Sequence, residues 1–180
     1  MLSTLGYGLL GLLATRAMTG YELTRMFDRS LAHVWSAGHS QVYPELAKLQ
    51  AAGLIRQTES GPRRSKRYSA TAEGRATVRR WLKRATAPDT IRSEPLLRVF
   101  FLWMVGPDVA RGYLRAEAAR HREQLAEYEA IAREIPASGE AALWSRISLE
   151  AGIRLERAMT EWAEWAERTA EAVQASGKPA

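Results

Sequence analysis

Apolar residues recur at helical spacing along most of the chain, and one segment, 54–69, reads as a hairpin instead. Leu5 to Ala14 (LGYGLLGLLA) is apolar nearly all round, which predicts a helix buried by its neighbours. Its three glycines would weaken an isolated helix, so packing has to hold it. Thr19-Gly20-Tyr21-Glu22 is a T-x-x-E capping box, in which the Thr19 hydroxyl and the Glu22 carboxylate satisfy free backbone N–H groups. It predicts a second helix with Leu23, Met26, Phe27, Leu31 and Val34 inward, broken by Gly38. A third helix is expected from Ser40, as N-cap, to Gly53, as stop, with Val42, Leu46 and Leu49 apolar. Pro44 then falls within about the first turn, where a missing N–H costs little.

Leu54-Ile55-Arg56-Gln57-Thr58 reads as a short strand, Gly61-Pro62 as a turn and Arg67-Tyr68-Ser69 as a returning strand. Thr71 caps a fourth helix through Arg84, with Val78, Trp81 and Leu82 inward. The small-polar stretch that follows, with Pro88, marks a boundary, so the expected domains are 1–86 and 93–180 with a linker at 87–92.

The second half predicts helices only. Ser93 caps a short apolar helix from Leu96 to Met104, and Gly106-Pro107-Asp108 stops it and starts the next. In that long helix Leu114, Ala118, His121, Leu125, Tyr128, Ala132 and Ile135 alternate by four and three. After a turn at Pro136-Ala137-Ser138-Gly139, the spacing returns at Trp144, Ser148, Ala151, Leu155, Ala158, Trp162 and Trp165. Two such seams predict an antiparallel helical hairpin. The fold class expected is mainly α: three helices and a two-stranded wing, a fourth helix, then an all-α C-terminal domain.

Composition narrows the function. With 46% hydrophobic residues in 180, the chain can bury a real core. Its net charge of +6 is unevenly spread. Residues 1–92 carry 15 Lys/Arg against 6 Asp/Glu, or +9, and residues 93–180 carry 11 against 14, or −3. A basic half suits a polyanion. The absence of cysteine rules out disulfides, thiol chemistry and Cys-based zinc sites and is compatible with a reducing cytoplasm, the expected location. Leu5–Ala14 is too short to span a bilayer and has no basic leader, so a core helix is expected rather than a membrane or targeting segment. His33, His39 and His121 stand far apart without a carboxylate at ligand spacing, and no phosphate loop or nucleophile elbow is present. Neither an enzyme, a metal nor a cofactor is expected.

A helix running into a basic hairpin is the layout of a winged helix-turn-helix, and points to duplex DNA. Residues near the start of such a helix reach base edges in the major groove. Ser40 and Gln41 are the candidates, since Gln can pair bidentately with adenine. The plainer role for Ser40 is a cap, and for Gln41 a solvated polar residue. Tyr43 combines packing with a phosphate hydrogen bond, and Lys48, one turn on, suits a phosphate. Arg63, Arg64, Lys66 and Arg67 crowd like charges onto the hairpin, which a polyanion would relieve. Arg75, Arg79, Arg80 and Lys83 form a basic face on the fourth helix, either beside DNA or, as favoured, solvated or paired with Glu161, Glu164 or Glu167. The aromatics of the second half are expected in core or dimer contacts before ligand contacts. An alternative is a helical scaffold whose basic wing binds an acidic protein.

These residues together resemble the PadR family of bacterial transcriptional regulators. The match rests on Gly20-Tyr21-Glu22-Leu23, on Tyr43-Pro44-Glu45-Leu46-Ala47-Lys48-Leu49 with Gly53-Leu54-Ile55, and on Arg63-Arg64 through Tyr68 to Thr71-x-x-Gly74-Arg75. The length fits the family's longer members, which carry a helical C-terminal region of the virulence-activator type. The resemblance implies a homodimer, joined largely through its C-terminal helices, that acts on a two-fold symmetric operator. It also implies a repressor that releases DNA when a small aromatic acid or drug binds. Such an effector is expected near Tyr7 and the Leu96–Met104 helix, with Trp103 a candidate contact. One departure is Ala70, where the family more often has a larger apolar residue, so a less firmly anchored second wing strand is expected.

Overall fold

Helix α1 (Thr4–Thr15) is capped by Ser3, whose hydroxyl accepts the Gly6 N–H at 2.9 Å, and it forms the centre of the first half. Leu9, Leu10 and Leu13 are at most 1% exposed, and α3, α4 and β3 pack around them. The coordinates are a computed structural model that describes residues 2–29, 31, 35, 37–61, 65–86 and 93–175. They fall into two compact units, Met1–Ala87 and Pro88–Ala180. The expected linker, 87–92, lies outside the described residues, as do Val34 and His33.

The capping box forms as its spacing predicts. The Thr19 amide donates to Glu22 Oε2 at 2.7 Å and the Glu22 amide to Thr19 Oγ1 at 3.1 Å, starting α2 (Gly20–Arg29). Leu23 and Phe27 face the core. Helix α3 (His39–Ala51) begins two residues earlier than expected, with Gly38 and not Ser40 as its N-cap. Pro44 therefore sits at the sixth position, where it has no N–H to offer the Ser40 carbonyl. At the other end Gly53 takes φ +67°, which favours glycine. Gly53 N donates to Gln50 O and Leu54 N to Leu49 O, both at 3.0 Å, while Leu49 and Leu54 are both buried. That is a Schellman ending with its apolar contact, and it launches the chain straight into the wing.

Strands β2 (Ile55–Gly61) and β3 (Ser65–Ala70) pair antiparallel, with Ile55 opposite Ala70 and Gln57 opposite Tyr68. A third strand, β1 (Met18–Thr19), pairs with the other edge of β3, giving the order β1-β3-β2. Two residues carry no legible strand period, so only the capping box beside them could be read. Ile55, Tyr68, Ala70 and Met18 turn toward the core. Ala70, the departure noted in the sequence, is 1% exposed and belongs to this packing.

Thr71 caps α4 (Ala72–Leu82) by accepting the Gly74 N–H, and its own hydroxyl reaches the Gly53 and Leu54 carbonyls. Val78 packs on the core and Trp81 stacks on Tyr7. Leu82, expected inward, is 68% exposed, because α4 is leaving the core by its last turn. The first unit is thus a winged helix-turn-helix with α4 laid across α1.

The second unit is all helical. Ser93 caps α5 (Glu94–Phe100), a 3₁₀ turn covers Leu102–Met104, and Gly106 with Pro107 starts α6 (Pro107–Glu134). The single apolar helix expected here is divided in two, and its residues Leu97, Phe100, Trp103 and Met104 are exposed rather than buried. Helix α6 packs on α7 (Glu140–Ala175) as an antiparallel hairpin. The expected α6 seam is the observed one: Leu114, Ala118, His121, Tyr128 and Ala132 are buried.

On α7 the seam is different. The residues facing α6 include Leu149, Gly152, Ile153, Thr160 and Ala163, while Trp144, Leu155 and Trp165 of the expected seam are 57–62% exposed. Both sets have near-heptad spacing on one helix. The set with small residues lets the two helices approach, and the bulkier set is left outside.

Gly74 is the position on which the junction of α3, wing and α4 closes. A Cβ there would fall well inside contact distance of the Leu54 carbonyl oxygen and 3.0 Å from Leu10 Cδ1. Gly74→Ala is expected to destabilise the first unit by about 2–3 kcal/mol, as overpacking does in a tight core. A lower urea midpoint with unchanged slope would show it, and an unchanged midpoint would mean that the junction is looser than described.

Candidate nucleic-acid interface

The amino end of α3 is at the surface. Gly38, His39, Ser40 and Gln41 are all exposed, while Val42, Leu46 and Leu49, at most 2% exposed, seat the helix on α1 and α2. Gly38 has no side chain to offer the first turn, so capping runs the other way. Gln41 Oε1 accepts the Gly38 N–H at 3.3 Å, and the Gln41 and Val42 amides donate to the Gly38 carbonyl. Ser40 is thereby relieved of a capping role and points its hydroxyl from the second helical position. Gln41 is partly committed to its own helix end.

Tyr43 is 48% exposed and lies across the start of α2. A Cβ on Gly20 would meet its ring at 2.7–2.8 Å and its hydroxyl at 3.0 Å, so Gly20 is what lets the ring settle there. This contact is the physical link between the Gly20-Tyr21-Glu22-Leu23 and Tyr43-Pro44-Glu45-Leu46 stretches. His39, between Tyr21 and Tyr43, extends the same surface with its ring.

Glu45 and Lys48 act as a pair. Lys48 Nζ donates to Glu45 Oε1 at 2.7 Å, and the Ser3 hydroxyl donates to Glu45 Oε2 at 2.9 Å. The Lys48 hydrogen bond, together with that from Ser3, holds the Glu45 carboxyl below its ordinary value of 4.5 against the opposing effect of burial. Ser3 therefore caps α1 with one lone pair and ties α3 to α1 with its proton. Lys48 is mostly exposed, available to an anion but steered by Glu45.

Arg67 turns back into the fold. Its Nη2 donates to the Ala17 carbonyl at 2.9 Å and reaches Glu22 at 3.5 Å, so the base of the wing is fastened to the cap of α2. The Glu22 carboxyl is lowered from its ordinary value, chiefly by the Thr19 backbone N–H, with Arg67 and Arg16 adding to it. Lys66 is exposed on β3. Arg63 and Arg64 lie outside the described residues. On α4, Arg80 pairs with Glu73, and Glu164 and Glu167 pair inside the second unit with Arg122 and Arg115. Of the two effector candidates, Tyr7 is 9% exposed and stacked on Trp81 at 4.9 Å, and Trp103 is 77% exposed.

Reasoning from the sequence named Ser40, Gln41, Tyr43 and Lys48 on the helix and Arg63, Arg64, Lys66 and Arg67 on the wing, and did not offer Tyr21, His39 or Glu45 for this surface. His39 stands four residues before Tyr43, so helical spacing alone placed both on one face.

Comparison with known proteins follows the same division. Residues 9–80 match the description "Transcriptional regulator PadR-like family", and residues 91–171 match "Virulence activator alpha C-term". The negative transcriptional regulator PadR of Bacillus subtilis is 32% identical over 140 residues, covering 76% of this chain and 77% of that protein. The chain belongs to the PadR family. It is a transcriptional regulator, in a family that is not enzymatic. Bacillus subtilis PadR in complex with operator DNA superposes with a TM-score of 0.82 at 27% identity, over 93% of this chain and 99% of that one. The same protein in complex with p-coumaric acid gives 0.76 at 26% identity, over 93% and 95%. The Vibrio cholerae virulence activator AphA gives 0.77 at 26% identity, over 94% and 99%. No described helix is long and apolar enough to cross a membrane.

The Glu45 tether carries a pH dependence. A carboxyl whose folded value is depressed contributes stability above its unfolded value and loses it as pH falls. Stability contributed by Glu45 is thus complete at neutral pH, begins to fall below about pH 4.5 and is gone once the folded group is protonated. Urea midpoints taken between pH 7 and pH 3 are expected to fall less for Glu45→Gln, which keeps an acceptor for Ser3, than for the native chain. Equal falls would remove Glu45 from the account.

Proposed function

We propose that this regulator binds a two-fold symmetric operator as a homodimer, acts as a repressor in the cytoplasm and releases the duplex when a small aromatic acid binds. The observation that carries the DNA-binding part is the exposed amino end of α3 beside a basic hairpin. Ser40, Gln41 and Tyr43 meet the groove and its rim. Lys48 and Lys66, with Arg63 and Arg64 of the segment that joins the two wing strands in sequence, neutralise phosphates. Arg67 keeps the wing at its angle and contacts phosphate only with the part of its fork that Ala17 and Glu22 leave free. The operator complex and the p-coumaric acid complex of the Bacillus subtilis relative support the ligand classes.

A mobility-shift titration on the DNA upstream of its own gene tests this. A shifted species at low salt, falling away steeply as salt rises, is expected. Arg63→Ala with Arg64→Ala is expected to weaken binding to every duplex and to flatten the log–log salt slope by about 0.9 for each phosphate left without its cation. Added p-coumaric acid or a related phenolic acid releases the DNA. Absence of any shift at low salt would end the proposal.

The dimer is built through the outer face of α7. Trp144, Leu155 and Trp165 are more than half exposed, and Ile147 is 50% exposed, in a stripe that runs much of the helix. A stripe of that size on a soluble chain marks an interaction surface. The heptad spacing suits a second copy of the same helix. Leu155→Glu with Trp165→Ser is expected to give monomers by sedimentation without loss of helix content, because neither side chain belongs to the α6 seam. Operator affinity is expected to drop about 100-fold or more once the two half-sites are no longer bound together. Dimers persisting in this variant would move the interface elsewhere.

A further inference from the structure

Beneath the exposed side chain of Lys48 lies a carboxylate that is almost out of solvent. Glu45 is 9% exposed, and its two oxygens go to two different partners. Lys48 Nζ donates to Oε1 at 2.7 Å, and the Ser3 hydroxyl donates to Oε2 at 2.9 Å. Oε2 also lies 3.0 Å from where a Cβ on Gly6 would stand, so the first turn of α1 closes against it. The carboxylate is therefore fixed by α1, although α3 carries it. Among the described residues Lys48 is its only ionic partner, and the bond between them is the main influence holding the Glu45 carboxyl below its ordinary value.

We infer that Glu45 is a positioning residue that makes Lys48 a directional phosphate ligand, and in doing so favours the operator over unrelated duplexes. The inference rests on the DNA-binding function proposed above. A free lysine is a point charge on a flexible stem and can follow phosphates in any register. Lys48 cannot, because leaving Glu45 would strand a buried carboxylate without its cation. An ammonium has three N–H donors. Here one is committed to Glu45, and that bond aims the other two. A phosphate oxygen meets them when α3 is seated in one register on the duplex. On a duplex of unrelated sequence the helix has no such register, and the pair behaves as a neutral unit that adds little to the general attraction between cations and phosphates. Glu45 thus trims binding to competing sites, which is where discrimination between sequences is set. At the operator the donors are pre-organised, and the loss is smaller.

Fluorescence anisotropy tests this with two duplexes, the one identified by the mobility shift and a scrambled duplex of the same length and composition. Glu45→Gln keeps an acceptor for Ser3 and frees Lys48. It is expected to tighten binding to the scrambled duplex by roughly three- to tenfold for the two copies together, with a smaller change on the operator. The salt slope on the scrambled duplex is expected to steepen by up to about 0.9 per copy. In a Lys48→Met background the same Glu45→Gln change is expected to do neither, which ties the effect to the freed ammonium. Ser3→Ala loosens α3 from α1 but leaves Lys48 on Glu45, so it is expected to keep the native slope. Equal gains on the two duplexes, no gain on the scrambled one, a gain that persists without Lys48, or a steeper slope in Ser3→Ala would each overturn the inference while leaving DNA binding intact. Failure of the native chain to bind any duplex would instead bring down the DNA-binding reading and this inference with it.

Discussion

The constraint behind the first unit is that a helix must be fixed in orientation while its amino end stays in solvent. Apolar burial alone cannot do this, because Val42, Leu46 and Leu49 form a narrow stripe about which the helix could still rock. A hydrogen bond on one side and a ring contact on the other stop the motion. Glu45 to Ser3 ties α3 to the start of α1, and the Tyr43 ring on Gly20 ties it to the start of α2. The Schellman ending at Gly53 then makes the angle between helix and wing a property of the backbone. Each device uses the start or end of a helix, where backbone groups are otherwise free.

The charges follow the same logic. The first 92 residues carry a net +9, but part of it is taken up inside the fold. Arg67 holds the wing to α2, Lys48 leans on Glu45, and Arg80 pairs with Glu73. A cation that is partly paired is also partly positioned, so its contact with a phosphate is pre-organised at some loss of strength. Counting Lys and Arg along the chain therefore locates the basic half correctly and overstates how many charges are free to meet a ligand.

How much was legible follows from range. The Thr19–Glu22 box, the Thr71 and Ser93 caps, the Pro107 start and the α6 seam depend on residues a turn or two apart, and all could be read directly. Strand β1 exists only because β3 lies beside it, 50 residues on, and two residues cannot announce that. The start of α3 was misplaced by two residues because Ser40 is the better cap by type. Gln41 reaching back to the Gly38 amide decided otherwise. Arg67 looked like a phosphate ligand by composition, and only the fold brought the Ala17 carbonyl and Glu22 to it. The family motifs were visible as letters, yet the reason for Gly20 is a ring 23 positions away.

The two stripes of α7 make the sharper case. Both repeat near the heptad, and a helix that carries two such faces has two partners to satisfy. Bulk misleads here, since a tryptophan-rich stripe is the natural choice for a core. Geometry favours the other one. An antiparallel hairpin closed by a short turn brings its helices near at every level, and Gly152, Thr160 and Ala163 permit that approach where Trp162 and Trp165 in the same place would hold the axes apart. His121 meeting Glu156 across the seam adds a polar pair to this register. The large aromatics are then left for a contact made after the hairpin has formed, between surfaces that need area more than closeness. On this argument the smaller side chains select the fold of one copy, and the larger ones stay exposed for the dimer contact proposed above.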